Sequence, residues 1–118
     1  MNRARTNKAR EHRISMEILV DAYTEEEQMM GWYYYLDDVL TFPFPARCIA
    51  QRGISPLKKA EVVEVLGMAR AEDCSGEMLV MIQWSGRKLS VPLSQLAPLK
   101  ADRKTKRAIE DWKYWKRV

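Results

Sequence analysis

The sequence predicts an α+β fold in which N-terminal helices and a C-terminal helix flank a small SH3-like barrel of four or five short strands. Three observations predict it. Apolar residues recur at three- and four-residue steps as far as Leu40. Beyond Pro45 the period falls to two, in short runs broken by polar and Gly-containing connections. From Arg103 the helical period returns. At 118 residues the chain is expected to form one domain. Its segments are a basic arm (1–13), an acidic helical segment (14–45), the barrel (46–99) and the C-terminal helix (100–118).

Residues 1–13 are charged and lack an apolar stripe, so they read as a frayed helix or a disordered arm. Ile14, Ile18, Leu19 and Ala22 then fall at helical spacing, which predicts a helix over about 10–22. Thr24 followed by Glu27 is a capping box, and it opens a second helix over about 25–40. Met29, Trp32, Tyr33, Leu36 and Leu40 line one face of that helix, with Gly31 inside it marking a close packing contact or a kink. Of the run Trp32 to Tyr35, two rings are expected in the core and two partly exposed. Pro43 and Pro45 end the helix.

Arg47 to Ala50 predicts a short strand and Ala60 to Met68 a longer one. Ala71 to Gly76 is a polar loop. Met78 to Trp84 is apolar enough for burial on both faces, and Ser85-Gly86 is a hairpin turn into a strand over Arg87 to Val91. Pro92 to Leu96 makes a tight helical turn before a last strand near Ala97 to Leu99. Such a set of short strands suggests the barrel. Asp102 can cap a helix over about 103–116 with the stripe Ala108, Ile109, Trp112 and Trp115.

Charge is segregated along the chain. The four segments carry +4, −7, +2 and +5, which together give the net +4. Between Ile14 and Pro45 stand seven carboxylates (Glu17, Asp21, Glu25, Glu26, Glu27, Asp37, Asp38) and no Lys or Arg. Such a block is a solvated face or a place where an external cation supplies the missing charge. No apolar run is long enough to span a bilayer, and Glu17 and Asp21 interrupt any signal-like stretch, so the protein is expected to be cytoplasmic and away from membranes. Cys48 and Cys74 are too few for a disulfide scaffold and read as buried free thiols.

Catalysis finds little to build on. The one histidine, His12, lies in the charged arm. No Ser-His-Asp or Cys-His arrangement, Gly-rich phosphate loop or zinc-ligand set is present. Oxygen ligands remain, and they suit a hard cation such as Ca²⁺. The glutamates at the start of the second helix have an ordinary explanation, since negative charge is favoured at a helix N-terminus. Asp37 and Asp38 close the same helix, where the dipole opposes them and free carbonyls offer further oxygens. They are therefore the first site candidates, followed by Glu26, Glu27, Asp21 and Glu25. No EF-hand loop spacing occurs. In a straight helix about 20 Å separates Glu25 from Asp38, so the acids form two sites unless the chain bends near Gly31. One site would use Asp21 with the glutamates. The other would join Asp37 and Asp38 to Glu72, Asp73 or Glu77.

A set of short motifs carries a resemblance. Asp21-Ala22-Tyr23, Glu26-Glu27, Gly31 to Leu36, Asp38, Phe42-Pro43-Phe44, Ser55-Pro56-Leu57, Val91 to Leu96 and Asp111-Trp112 with Tyr114-Trp115 together resemble the CcbP-type calcium-binding proteins of cyanobacteria and other bacteria, over about residues 16–115. The resemblance implies a small α+β protein that binds Ca²⁺ without an EF-hand and serves as a calcium buffer or sensor in calcium signalling. It matches Glu26, Glu27 and Asp38 as acidic positions, with Asp38 as principal ligand. Lys113 departs from it, where relatives tend to carry a histidine.

The expected function is thus calcium binding, by a monomer whose protein partner the sequence leaves open, and not catalysis. The alternative is a nucleic-acid- or protein-binding SH3-like module, with Arg3, Arg5, Arg10, Lys104, Lys106 and Arg107 on phosphates.

Overall fold

The computed structural model describes residues 7–116. In chain order these form α1 (Lys8–Arg13), a π-helical turn (Ile14–Ile18), α2 (Glu25–Val39), β1 (Phe44–Cys48), β2 (Val62–Met68), a 3-10 turn (Ala71–Asp73), β3 (Leu79–Trp84), β4 (Arg87–Pro92), a 3-10 turn (Leu93–Gln95), β5 (Leu96–Pro98) and α3 (Arg103–Lys116). The strands make one antiparallel sheet in the order β4-β3-β2-β1-β5.

The sheet does not close, which corrects the barrel expectation. Closure would need a ladder between β4 and β5 at its two ends. β5 is three residues long, and the 3-10 turn before it carries the chain across to β1, where Ala46, Arg47 and Cys48 face Pro98, Ala97 and Leu96. No pairing with β4 results.

Alternation places Phe44, Ala46 and Cys48 of β1, Val63 and Val65 of β2, and Val80 and Ile82 of β3 in the core. β3 was expected to be buried on both faces, but Leu79 and Met81 are only half-buried and Gln83 is exposed. β1 begins earlier than expected, at Phe44, and takes in Pro45. Proline is tolerated there because β5 reaches only as far as Ala46, and Leu99 N donates to the Pro45 carbonyl at 2.9 Å. β2 shifts register between Val65 and Gly67. Ser85 (φ 49°) and Gly86 (φ 75°) both adopt the left-handed conformation that a tight two-residue hairpin requires.

The helical layer departs from expectation at its start. The first helix ends at Ile18, not near residue 22. Ile14 and Ile18, one turn apart, both enter the core from the π turn, and Asp21 (φ 60°) then takes a conformation that cannot continue a right-handed helix. Residues 8–13 are neither frayed nor disordered. Arg13 grips Asp111 through Nε (2.9 Å) and Nη2 (2.7 Å), and Arg10 Nε lies 3.0 Å from the same carboxylate. Asp111 is fully buried, so the pair is a strong constraint: removing one partner of such a pair costs about 3–5 kcal/mol. Tyr114 adds to the dock, donating to Glu11 at 2.7 Å. Arg3 and Arg5 of the predicted arm lie outside the described residues.

α2 runs unbroken through Gly31, where a close contact accounts for the residue. A Cβ built there would sit 2.9 Å from the Ile18 carbonyl oxygen. Trp32 is fully buried, Tyr33 and Tyr35 are half-buried and Tyr34 is exposed, so one ring of the four reaches the core fully, not two. Trp32 packs edge-on against Trp112 of α3 at 5.2 Å and lies 5.7 Å from Trp115. Cys48 and Cys74 are free and buried.

Side chains cap α2 and α3. Thr24 Oγ1 accepts from the Glu27 amide at 3.1 Å while Glu27 Oε1 accepts from Thr24 N (3.1 Å) and Tyr23 N (2.8 Å). Asp102 accepts from Thr105 N (2.7 Å) and from the Thr41 hydroxyl (2.7 Å), tying the end of α2 to the start of α3. The Tyr23 and then the Thr24 amides hold the Glu27 carboxyl below its ordinary value. The Thr105 amide, and then the Thr41 hydroxyl, do the same for Asp102.

Two outcomes are expected. Gly31→Ala forces the backbone at Ile18 to move and should destabilise the fold by about 1–3 kcal/mol, read as a lower urea midpoint. Because the folded pKa values of Glu27 and Asp102 are depressed, their stabilisation is fully present above the unfolded values and is lost as pH falls through the folded ones. Glu27→Gln and Asp102→Asn should therefore lower the melting temperature at neutral pH. The difference from wild type should shrink below about pH 4.

Candidate metal centre

Of the seven carboxylates of the acidic segment, Glu17 lies in the π-helical turn, where its charge acts on Arg13 and Tyr35, and the other six divide between the two ends of α2. At its start, Thr24, Glu25 and Glu26 line an open groove with Met29, Met30, Ala71, Glu72, Cys74 and Ser75. The capping box fixes Glu25 and Glu26 in the first turn, and the 3-10 turn after β2 brings Glu72 to the opposite wall. All three glutamates are exposed. Glu72 is 3.6 Å from Arg70, whose Nε lies 3.2 Å from Asp73. These pairs are solvent-exposed and worth little. Cys74 is buried at the base of the same loop. Its sulfur accepts from Leu79 N at 3.4 Å, and burial pushes its thiol pKa up.

Asp21 belongs to the same end through Tyr23. The Tyr23 hydroxyl donates to Asp21 Oδ1 at 3.3 Å, while its amide donates to Glu27 Oε1. One oxygen of Glu27 is therefore committed to two amides.

At the far end, Asp37 and Asp38 are both exposed. No Lys or Arg among the described residues makes an ion pair with either, or with any other acid of the segment. The helix-end carbonyls beside them are short of donors. Thr41 N turns to Thr105 Oγ1 at 2.9 Å instead of back into α2, and Pro43 has no N–H to give. Tyr33 stands one turn before Asp37 and donates to the Ala69 carbonyl at 2.6 Å. Burial first, then the Asp37 charge, raises its pKa.

α2 is one uninterrupted helix, so the bend that would bring all the acids together does not exist. No metal-holding cluster joins Asp37 and Asp38 to the 72–77 loop among the described residues: Glu72 lines the groove with Glu25 and Glu26, Asp73 pairs with Arg70 at 3.2 Å, and Glu77 pairs with Arg52 at 3.3 Å. Among the described residues, no three His, Cys, Asp or Glu side chains converge tightly enough to hold a metal ion. Of the cations considered for phosphate contact, Arg10 is taken by Glu110 and Asp111, while Lys104, Lys106 and Arg107 are exposed on α3. His12 is exposed. No helix among the described residues is long and apolar enough to cross a membrane.

Sequence reasoning missed two placements. Asp111 falls three residues after Ala108 and four before Trp115, on the apolar stripe of α3, and that position alone marks it as a buried carboxylate in need of cations. The position of Glu72 beside Glu25 and Glu26 had no local signal, because it depends on how β2 packs on α2.

Comparison with known proteins follows the same line. The family described as calcium binding, CcbP, matches residues 12–116. The crystal structure of CcbP from Anabaena is 41% identical, superposes with a TM-score of 0.84 and is matched over 94% of this chain and 91% of its own. A calcium-binding protein solved in its calcium-binding form is 39% identical, with a TM-score of 0.83 and coverage of 98% and 94%. No curated protein matches. With a family match over nearly its whole length and two solved relatives of the same fold, the chain belongs to the CcbP family of calcium-binding proteins.

Proposed function

We propose that this chain is a calcium buffer or sensor that binds Ca²⁺ with clustered carboxylates at the ends of α2, and that it works by binding and not by catalysis. The observation that carries the reading is the state of Asp37 and Asp38: exposed, adjacent, without a cationic partner among the described residues, and next to carbonyls lacking their helical donors. The donor set suits the ion, since Ca²⁺ takes six to eight oxygens from carboxylates, carbonyls and water in flexible geometry. Asp38 would be the principal ligand, as the family resemblance implies, with Asp37 beside it. Glu25 and Glu26 would make a separate site in the open groove they share with Glu72, their carboxylates drawing together around the ion, and Asp21 would stand near it. Glu27 has one oxygen left to offer. Bound calcium supplies the positive charge that this end of α2 lacks.

The residues themselves do the remaining work. Pro43 and the Asp102–Thr41 bond fix where α2 stops, so the two aspartates are presented on a firm helix end. Their mutual repulsion is the energy a cation relieves. Ligand that binds the folded state alone raises stability by about 2.7 kcal/mol at a hundredfold excess over Kd.

Calorimetric titration with Ca²⁺ and then Mg²⁺ tests the reading. Heat and a rise in melting temperature are expected with Ca²⁺. Asp38→Ala should weaken binding about tenfold or more, and Glu17→Ala should leave it unchanged. No heat and no melting shift at millimolar Ca²⁺ would overturn the proposal. Separately, a change in tryptophan emission on binding points to a sensor, and its absence to a buffer.

A further inference from the structure

We propose that the cleft bounded by Arg52, Glu77, Ser94, Lys113 and Lys116 binds a small phosphate-type dianion. The cleft measures about 410 Å³ and lies where the last turn of α3 meets the second 3-10 turn and the segment leading into β3. Four separate stretches of chain supply its walls, and the lining holds three cations and one carboxylate.

That carboxylate is already committed. Glu77 Oε1 pairs with Arg52 Nη2 at 3.3 Å, and Oε2 accepts from the Ser94 hydroxyl at 3.0 Å. Arg52 Nη1 donates to the same hydroxyl at 3.1 Å. The three groups form a closed ring that orients the guanidinium and leaves the two lysines unbalanced. Lys113 Nζ donates to the Leu96 carbonyl at 2.6 Å and Lys116 Nζ to the Gly76 carbonyl at 3.1 Å. Neither ammonium has an ion pair among the described residues. Each has three N–H donors and spends one on a neutral carbonyl.

Lys113 is half-buried, and its pKa is lowered by that burial, with only the Glu110 charge acting the other way. A cation partly withdrawn from water without a direct ion pair is a costly arrangement. A dianion matches the excess of two positive charges in the lining. Its oxygens would accept the unused ammonium N–H groups in short charge-assisted bonds. Glu77 keeps Arg52 aligned as the third contact.

Titration with inorganic phosphate, with no calcium added and ionic strength held constant with chloride, tests this independently of the metal reading. Saturable binding is expected by calorimetry, together with a phosphate-specific rise in melting temperature. Lys113→Met and Arg52→Gln should each weaken binding about tenfold or more. Lys104→Met, on the exposed side of α3, should not. Absence of saturable binding in the unmodified protein overturns the proposal, and so does an equal loss in Lys104→Met, which would mark a general charge effect. Should Lys113→Met fail to fold, Lys116→Met decides in its place: weaker binding supports the site and unchanged binding overturns it.

Discussion

The edge-on contact of Trp32 with Trp112 is the constraint on which the rest of the molecule depends. Both rings are wholly removed from solvent, at 5.2 Å between centroids, one from α2 and the other from α3. Such a pair contributes about 0.5–1.5 kcal/mol beyond the apolar area it buries. Its geometric effect is larger than that figure. The middle of α2 is pinned on α3, the Asp102–Thr41 and Thr105–Thr41 bonds hold one end, and the acids at both ends are exposed. Packing deep in the core thus decides where charge appears on the surface.

Among the described residues, no cation of this basic chain forms an ion pair with the acidic segment. Arg10 and Arg13 spend their charge on Asp111, Arg52 on Glu77, and Arg70 on Glu72 and Asp73. Each of these pairings is set by the fold. Asp111 lies on the buried stripe of α3 and needs two guanidiniums to be tolerated there. The effect is to leave the seven carboxylates between Ile14 and Pro45 without ion pairs among the described residues.

Much of the architecture was legible in the sequence because it rests on local rules. The Thr24 capping box, the Ser85-Gly86 hairpin, the turn at Leu93–Gln95 and the Asp102 cap all follow from residue types at fixed spacing, and all are present. What was not legible depends on distant partners. The π turn at Ile14–Ile18 leaves no mark in the spacing of its apolar residues, which would suit an α-helix equally, and the sheet stays open because β5 finds β1 and not β4. Glu72 faces Glu25 and Glu26 only through the packing of β2 on α2. The acidic positions could be listed from the sequence, and the division between the two ends of α2 followed from helix length. Which loop stands near which end could not be read, since strand register settles it.

An unbalanced acidic helix also acts before any ion arrives. Exposed carboxylates at the ends of a helix set up a local negative potential that reaches about 10 Å into solution at 0.1 M salt. Divalent ions drift down that gradient, so their local concentration and their rate of encounter both rise, and added electrolyte slows the approach. A charge layout of this kind acts on the rate of approach, apart from how tightly any ion is held.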